Sequence, residues 1–427
     1  MDALTFYAIA FVVIWISALL FKDKLKLDVT GPLIMRRTTR LRDSIDSIAQ
    51  KSPRFWKAYM TIGIPVSLFF MALMIYFLIL SLQLILQTPV ASPILPGVDY
   101  PGNLIYVPLG YGLFALATLL IIHEFAHGIL ARAEGIKIKS IGLLLLAVLP
   151  GAFVEPDEEE VAKASKLTKL RIYAAGSISN LTLAGIAFLI VYIISNFFVP
   201  AAFHTDGIVI TSVIPNSPAA GTLKEGMVIY NINGHDIKNS TDFATFKNTI
   251  KIGDVLTFKT NQGTFTVKTV ANPNNSTAAY AGYRAEDNLI VNKNIHDLYG
   301  DLIPWTLYNL SNLFYWIFLL NFAVGTFNLL PMKPLDGGLI FEEVLSARMS
   351  ERRINSTTSN FKRFLQQKLK LSEEKAKDAA LSLGKILSFK ISERNINIIV
   401  SGVSWVLIMF IAFNLIYAVG RGLLLSL

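Results

Sequence analysis

Two histidines and a glutamate stand together in His123-Glu124-Phe125-Ala126-His127. On a helix, residues four apart lie on one face, so both imidazoles can reach a single metal ion. Zinc accepts histidine nitrogens at about 2.0–2.1 Å, and a catalytic site keeps three protein ligands with one position open. Glu124, beside the first ligand, is placed to act as general base on a water at that position, whose pKa the ion brings toward about 7. The chain has only five histidines, and the stretch sits in apolar sequence. Charge there costs about 2.5–3.5 kcal/mol or more per group at the centre of a bilayer, so packing alone gives no reason for it.

A third ligand must come from elsewhere. One known extension of the pattern needs histidine at position 133, and Ala133 stands there. Glu134 shares the helical face of His127 but lies about 10 Å further along the axis. Glu155 and Asp157 belong to an acidic stretch that reads as a solvated face. Asp336 is the best candidate. It follows a long apolar segment in Asn328-Leu329-Leu330-Pro331-Met332-Lys333-Pro334-Leu335-Asp336-Gly337-Gly338. The prolines end the helix and the glycines allow a sharp turn that aims the carboxylate back.

The elements that must hold these groups are membrane helices. The chain has 427 residues, 53% hydrophobic and only 16% charged, with a mean hydropathy of +0.51. Soluble domains carry about 25% charged residues, and disordered chains are far less apolar. Six segments are long enough to span a bilayer, at about 4–21, 61–86, 108–131, 174–198, 305–330 and 397–419. No cysteine is present, which excludes disulfides, cysteine metal sites and thiol nucleophiles. The net charge of +9 reads as loop orientation and not as a nucleic-acid footprint. Segment 22–60 carries ten Lys/Arg against four acidic residues and 345–396 carries twelve, which places both in the cytoplasm. Segment 87–107 has Asp99 and no cation, which places it outside with the N-terminus.

Residues 204–290 then form an extracytoplasmic insert of short β-type runs broken by Gly, Asn and Pro, with one helix over 240–250. Residues 136–155 are apolar but too short and too rich in Gly and Pro for a clean span. They predict a re-entrant loop or hairpin, which is tolerated only against protein or a watery cavity. The expected organisation is 1–107, two spans and a basic cytoplasmic loop; 108–200, the catalytic membrane core; 204–290, the insert; 301–344, the fifth span with its Asp-Gly motif; 345–396, short amphipathic cytoplasmic helices; and 397–427, the last span.

These motifs resemble those of the site-2 protease family of intramembrane zinc metalloproteases. HEFAH at 123–127, GSISN at 176–180, PGAFVEPDEE at 150–159 and NLLPMKPLDGG at 328–338 carry the likeness, closest to the archaeal and eukaryotic branch. The resemblance implies one Zn²⁺ per chain on His123, His127 and Asp336, with Glu124 as catalytic base and acid. It implies that Asn180 stabilises the oxyanion or orients substrate, and that Asn328 binds substrate backbone. Many members have proline where Ser177 stands. The implied activity is hydrolysis of peptide bonds within or near the transmembrane helix of a membrane-protein substrate, as in regulated intramembrane proteolysis. The expected site lies toward the cytoplasmic half of the membrane, the cell membrane in a prokaryote.

The insert resembles a PDZ domain in Val213-Ile214-Pro215-Asn216-Ser217-Pro218-Ala219-Ala220, Leu223, Gly226, Ile229-Tyr230-Asn231-Ile232-Asn233-Gly234 and Gly253-Asp254. Such domains take peptides by strand addition, so a peptide or substrate ectodomain is an expected partner. No carboxylate-binding loop stands before Ile208. His204, His235 and His296 lack paired spacing and read as surface residues. The basic 345–396 segment is expected to meet anionic lipid. The expected fold is therefore a polytopic α-helical membrane protein of about six spans, with a re-entrant β-type segment and an inserted small α/β PDZ-like domain. A non-catalytic scaffold has no use for Glu124, and a metal transporter would string its ligands across several levels.

Overall fold

A computed structural model describes residues 3–39, 41–84, 95–98, 105–146, 149–273, 275–346, 351–370, 372–388 and 392–426. Asp99 lies outside the described residues. The chain forms two compact units, one from residues up to Val98 with Ile105–Gly185 and Ile317–Tyr417, the other mainly from Ile186–Trp316.

In chain order, the first unit begins with α1 (Ala3–Leu25), the hairpin β1 (Leu27–Thr30) and β2 (Leu33–Thr38), α2 (Arg42–Lys51) and α3 (Pro53–Leu84). It continues with α4 (Leu109–Ala133), the hairpin β3 (Ile138–Leu146) and β4 (Leu149–Pro156), α5 (Glu158–Lys163) and α6 (Lys166–Ile193). After α6 come a π turn at Ile194–Phe198 and the short α7 (Val199–Ala202). The second unit then runs β5 (Phe203–Val213), β6 (Val228–Ile232), β7 (His235–Asp236), α8 (Ser240–Lys247), β8 (Val255–Thr260) and β9 (Gly263–Lys268). It closes with β10 (Val270–Asn272), β11 (Asn275–Tyr280), β12 (Tyr283–Val291) and α9 (Lys293–Tyr299). The chain returns through α10 (Leu302–Phe327), α11 (Asp336–Leu345), α12 (Glu351–Gln367), α13 (Glu373–Ser388) and α14 (Glu393–Ser426).

Six of these helices are long and apolar enough to cross a membrane: Thr5–Leu25, Pro53–Ser81, Leu109–Ala133, Lys166–Ala202, Leu302–Phe327 and Glu393–Tyr417. They coincide with the six apolar segments of the sequence. Small residues let them approach. A Cβ at Gly63 would meet Ile178 at 3.0 Å, so α3 and α6 touch there almost backbone to side chain. The shared core gathers Met60, Leu130, Ile172, Ile178 and Ile340 from four helices, with Leu329 from the turn after α10.

The 136–155 segment is a hairpin, as expected for a re-entrant element. Its partner was not expected. The sheet has four antiparallel strands in the order β1-β2-β3-β4, with β2 paired to β3 from Leu33↔Leu146 to Thr38↔Ile141. Part of the basic 22–60 segment is thus the other half of this sheet. Helix α2 lies on it, through a cluster of Ile45, Ile138, Ile141 and Val154. Gly128 of α4 makes room for this packing, since a Cβ there would meet Ile45 and Val154 at 3.1 Å. Strands β1 and β4 are the outer strands, so among the described residues β4 has one side without a strand partner.

In the second unit the strand order is β12-β5-β6-β8-β9, with β7 hanging on β6. Asn233 and Gly234 both have positive φ, 49° and 86°, which makes the tight hairpin turn that Asn-Gly favours. Ile208, Ile229, Ile232 and Phe258 are fully buried in its core. The edge strand beside α8 is β12, which follows the other strands in sequence. Ser240 N–H of α8 donates to Asp287 of β12, and Phe243 packs on Tyr283. Helices α12 and α13 pair through buried Leu365, Ala376 and Ala380.

Candidate metal centre

Helix α4 presents His123 and His127 one turn apart, with ring centroids 4.9 Å from each other. The third group arrives by a different route. Helix α10 ends at Phe327, the chain turns through Pro331 and Pro334, and α11 starts at Asp336. The start of α11 tucks against the turn before it. Gly337 N–H donates to Asn328 O at 2.7 Å, and a Cβ at Gly338 would lie 2.5 Å from the Met332 carbonyl carbon. The two glycines therefore serve a close backbone approach at a helix start, not a turn of unusual φ.

This places the Asp336 carboxylate on the two imidazoles. Nε2 of His123 lies 3.4 Å from Asp336 Oδ2, Nε2 of His127 lies 3.4 Å from Oδ1, and the two Nε2 atoms are 3.3 Å apart. Ligand bonds of 2.0–2.1 Å in a tetrahedral site require ligand-to-ligand distances of about 3.3–3.4 Å. Each imidazole nitrogen thus has a carboxylate oxygen of Asp336 at that spacing, one ligand atom from each of the three residues lies within 4.8 Å of the others, and a donor set of two imidazole nitrogens and a carboxylate suits that ion. Among the described residues this is the one group of three or more His, Asp or Glu side chains so arranged. His123 is 8% exposed, and the side chains of His127 and Asp336 are 14% and 13% exposed.

Glu124 points from the same helix turn toward the sheet. Its Oε2 accepts the N–H of Val154 at 3.0 Å. Val154 pairs with Ile141 of β3 at its Cα, but its N–H faces away from β3, on the partnerless side of β4. Alternation then turns the N–H and C=O of Ala152 to that same side.

Helix α6 closes the back of the site. Gly176 leaves space for the rings, since a Cβ there would lie 2.5 Å from His123 Nε2 and overlap His127 as well. His127 Nδ1 donates to Ile172 O at 2.7 Å, and the Asn180 amide bonds His123 Nδ1 at 3.1 Å. Ser177 Oγ donates to Asp336 Oδ2 at 3.1 Å. Asn180 is therefore found on the His123 ring. Asn328 is half-buried, and its backbone carbonyl holds the start of α11. The other acidic candidates lie elsewhere. Glu134 pairs with Arg171 and Lys57, Glu155 accepts from Ser140, and Asp157 caps α5 by accepting Glu159 and Glu160 N–H. Ser177, Gly176, Ile172 and Val154 carried no catalytic signal of their own; only the proximity of Ser177 and Gly176 to Asn180 in GSISN hinted at them.

Comparison with known proteins bears on the chain as a whole. The model of peptidase family M50 matches residues 111–366. An uncharacterized protein of Methanocaldococcus jannaschii is 30% identical over 372 residues, covering 82% of this chain and 88% of its own. The membrane-bound transcription factor site-2 protease homolog of Arabidopsis thaliana is 24% identical over 135 residues, 32% of this chain and 26% of its own. Among solved structures, the PDZ domain of the SdrC-like protein from Listeria innocua is 27% identical, covering 19% of this chain and 93% of its own, at a TM-score of 0.18. The chain belongs to peptidase family M50, and it is an integral membrane metalloprotease with six helices of membrane-crossing length and apolarity among the described residues.

Proposed function

We propose that this protein is a zinc-dependent intramembrane endopeptidase that cleaves within or near the transmembrane helix of a membrane-protein substrate. The observation that carries the reading is the Nε2–Nε2–carboxylate triangle with Glu124 on the adjoining helix position and bonded to the open side of β4. His123, His127 and Asp336 would hold the zinc. When bound, zinc polarises a peptide carbonyl and makes a neighbouring water acidic.

The remaining work falls to the chain's own residues. A peptide carbonyl inside a helix is shielded by its hydrogen bond, so the substrate must first unwind. The side of β4 that offers Ala152 N–H and C=O gives an opened segment a backbone partner, by strand addition. That pairing sets the scissile carbonyl beside Glu124. With Oε2 held by Val154, Oε1 is the oxygen free to take a proton from the attacking water and return it to the departing amide nitrogen. The apolar helices around the site keep bulk water from competing. Asn328, at the turn before α11, would contact substrate backbone. The open edge of β12 beside α8 would take a peptide or a substrate ectodomain, and the basic 345–396 helices would meet anionic lipid. The charge pattern supports an extracytoplasmic N-terminus and insert, and cleavage in the cytoplasmic half of the membrane.

The test is cleavage of a tagged single-span substrate in liposomes by the native chain and by Glu124→Gln, each with and without a zinc chelator. Cleavage lost in the variant and under chelation supports the reading. Cleavage by both proteins in the presence of chelator rules it out.

A further inference from the structure

The three proposed ligands come from α4 and α11, yet the atoms that hold each of them come from α6. Ile172 O takes the Nδ1 proton of His127, Asn180 meets Nδ1 of His123, and Ser177 donates to Asp336. We propose that Ser177 and Asn180 are positioning residues of the metal centre: the Ser177 hydroxyl fixes the Asp336 carboxylate, and the side-chain oxygen of Asn180 fixes the His123 ring. The inference rests on the zinc reading above.

Ser177 is fully buried. Many hydroxyls in these helices donate to their own helix four residues back, as Ser67 does to Gly63, Thr182 to Ile178, Thr326 to Phe322 and Ser404 to Val400, whereas Thr168 of α6 reaches out to the Glu134 carboxylate. Ser177 donates outward, to Oδ2 of the carboxylate. That bond holds the carboxylate with Oδ2 toward His123 Nε2 and Oδ1 toward His127 Nε2, so that an oxygen faces each ring.

The Asn180 argument turns on which end of its amide faces the ring. An imidazole that offers the Nε2 lone pair to a metal is neutral and carries its proton on Nδ1. That N–H needs an acceptor, and the group bonded to it is the Asn180 amide. Amide oxygen and nitrogen are nearly isosteric, so their assignment follows from the hydrogen-bond network. With Nδ2 toward the ring, Oδ1 is left buried without a partner. Turning the amide places its oxygen on the His123 Nδ1–H. This matches the acceptor that Ile172 O already gives His127. Asn180 then sets the ring tautomer, and its amide nitrogen turns to the face where no protein group meets it.

The experiment measures zinc affinity of the full chain in detergent, by competition with a chromophoric chelator, and the visible spectrum of the cobalt-substituted protein. Ser177→Ala and Asn180→Leu should bind zinc about 10–100-fold more weakly and alter the cobalt bands. Ser177→Thr and Asn180→Asp, which keep the donor and the acceptor, should stay within about threefold of native. Melting without zinc verifies that each variant folds. If an apolar variant does not fold, the conservative pair still decides, since a loss of about tenfold in both overturns the inference. Equal affinity in all variants also overturns it, and would leave Asn180 as a donor to substrate alone. A native chain that binds no zinc would instead sink the metal reading itself.

Discussion

The backbone N–H of Val154 donates to Oε2 of Glu124 at 3.0 Å, so the side chain best placed to move a proton is fastened to the outer strand of a sheet. In the proposed mechanism, positioning of the base and presentation of a strand edge are therefore one structural event: a substrate segment paired with β4 would be held in register with Glu124 by the same backbone.

Replacing Glu124 by Gln keeps the shape and an oxygen for Val154 but removes the proton acceptor. Turnover should fall by about 10²–10⁴-fold while bound zinc stays at one per chain. Single-turnover cleavage together with elemental analysis checks both halves.

Ala152→Pro removes an N–H from the open side of β4 without touching the β3–β4 ladder, which edge strands tolerate. Cleavage should drop at least about tenfold, with zinc content and melting temperature unchanged. Native cleavage rates in this variant would remove β4 as the substrate's partner.

Gly176→Ala would drive a Cβ into both imidazoles. Zinc occupancy should fall by about tenfold or more, because neither ring can retreat from a packed site without leaving the triangle. The readout is metal content after dialysis against a buffered zinc concentration.

Glu134 tests stability apart from chemistry. Its side chain is 7% exposed and meets Arg171 at 2.8 Å and Lys57 at 3.5 Å, joining α4 to α6 and α3. Glu134→Ala should cost about 1–3 kcal/mol, since it takes the carboxylate from the largely buried Arg171, while Lys57, 37% exposed, stays solvated. Molecules that remain folded should hold zinc as before. Unfolding in mixed micelles measures the first and metal analysis the second.

His296 and Asp301 form an exposed pair near the start of α10, at 2.8 Å. The hydrogen bond and charge of Asp301 raise the His296 pKa above its ordinary 6.5. The folded chain therefore binds that proton more tightly than the unfolded one. The pair's contribution is full below about pH 6.5 and is lost as pH rises through the raised value. Asp301→Asn should return the imidazole titration toward 6.5, which an NMR titration of His296 follows.

The parts of this molecule that were legible in sequence share a property: they depend on residue type and local spacing. Length and apolarity gave the six spans, and i,i+4 spacing gave the His123–His127 pair. Asp336 was legible because a carboxylate flanked by Pro and Gly has few other uses beside an incomplete ligand set. The hairpin β1–β2 was not legible. Its partner strand lies about a hundred residues away, and Arg36 and Arg37 read as charges that orient a loop. Gly337 and Gly338 were noticed for the wrong reason, since glycine marks a close approach as well as a turn. Ser177 was invisible as a functional residue, because a serine in an apolar helix ordinarily bonds its own backbone. Only the fold shows that this one does not.

The metal triangle closes across more than two hundred residues, from His123 to Asp336. During synthesis, α4, the completed sheet and the outer hydrogen-bonding groups on α6 all precede the entire inserted domain. On the zinc reading, a nascent chain still short of Asp336 therefore has Glu124, the strand edge and two imidazoles, but only two of the three proposed ligands. The proposed hydrolytic competence would arrive late in the making of the protein, with the fifth apolar helix already built and the turn behind it formed.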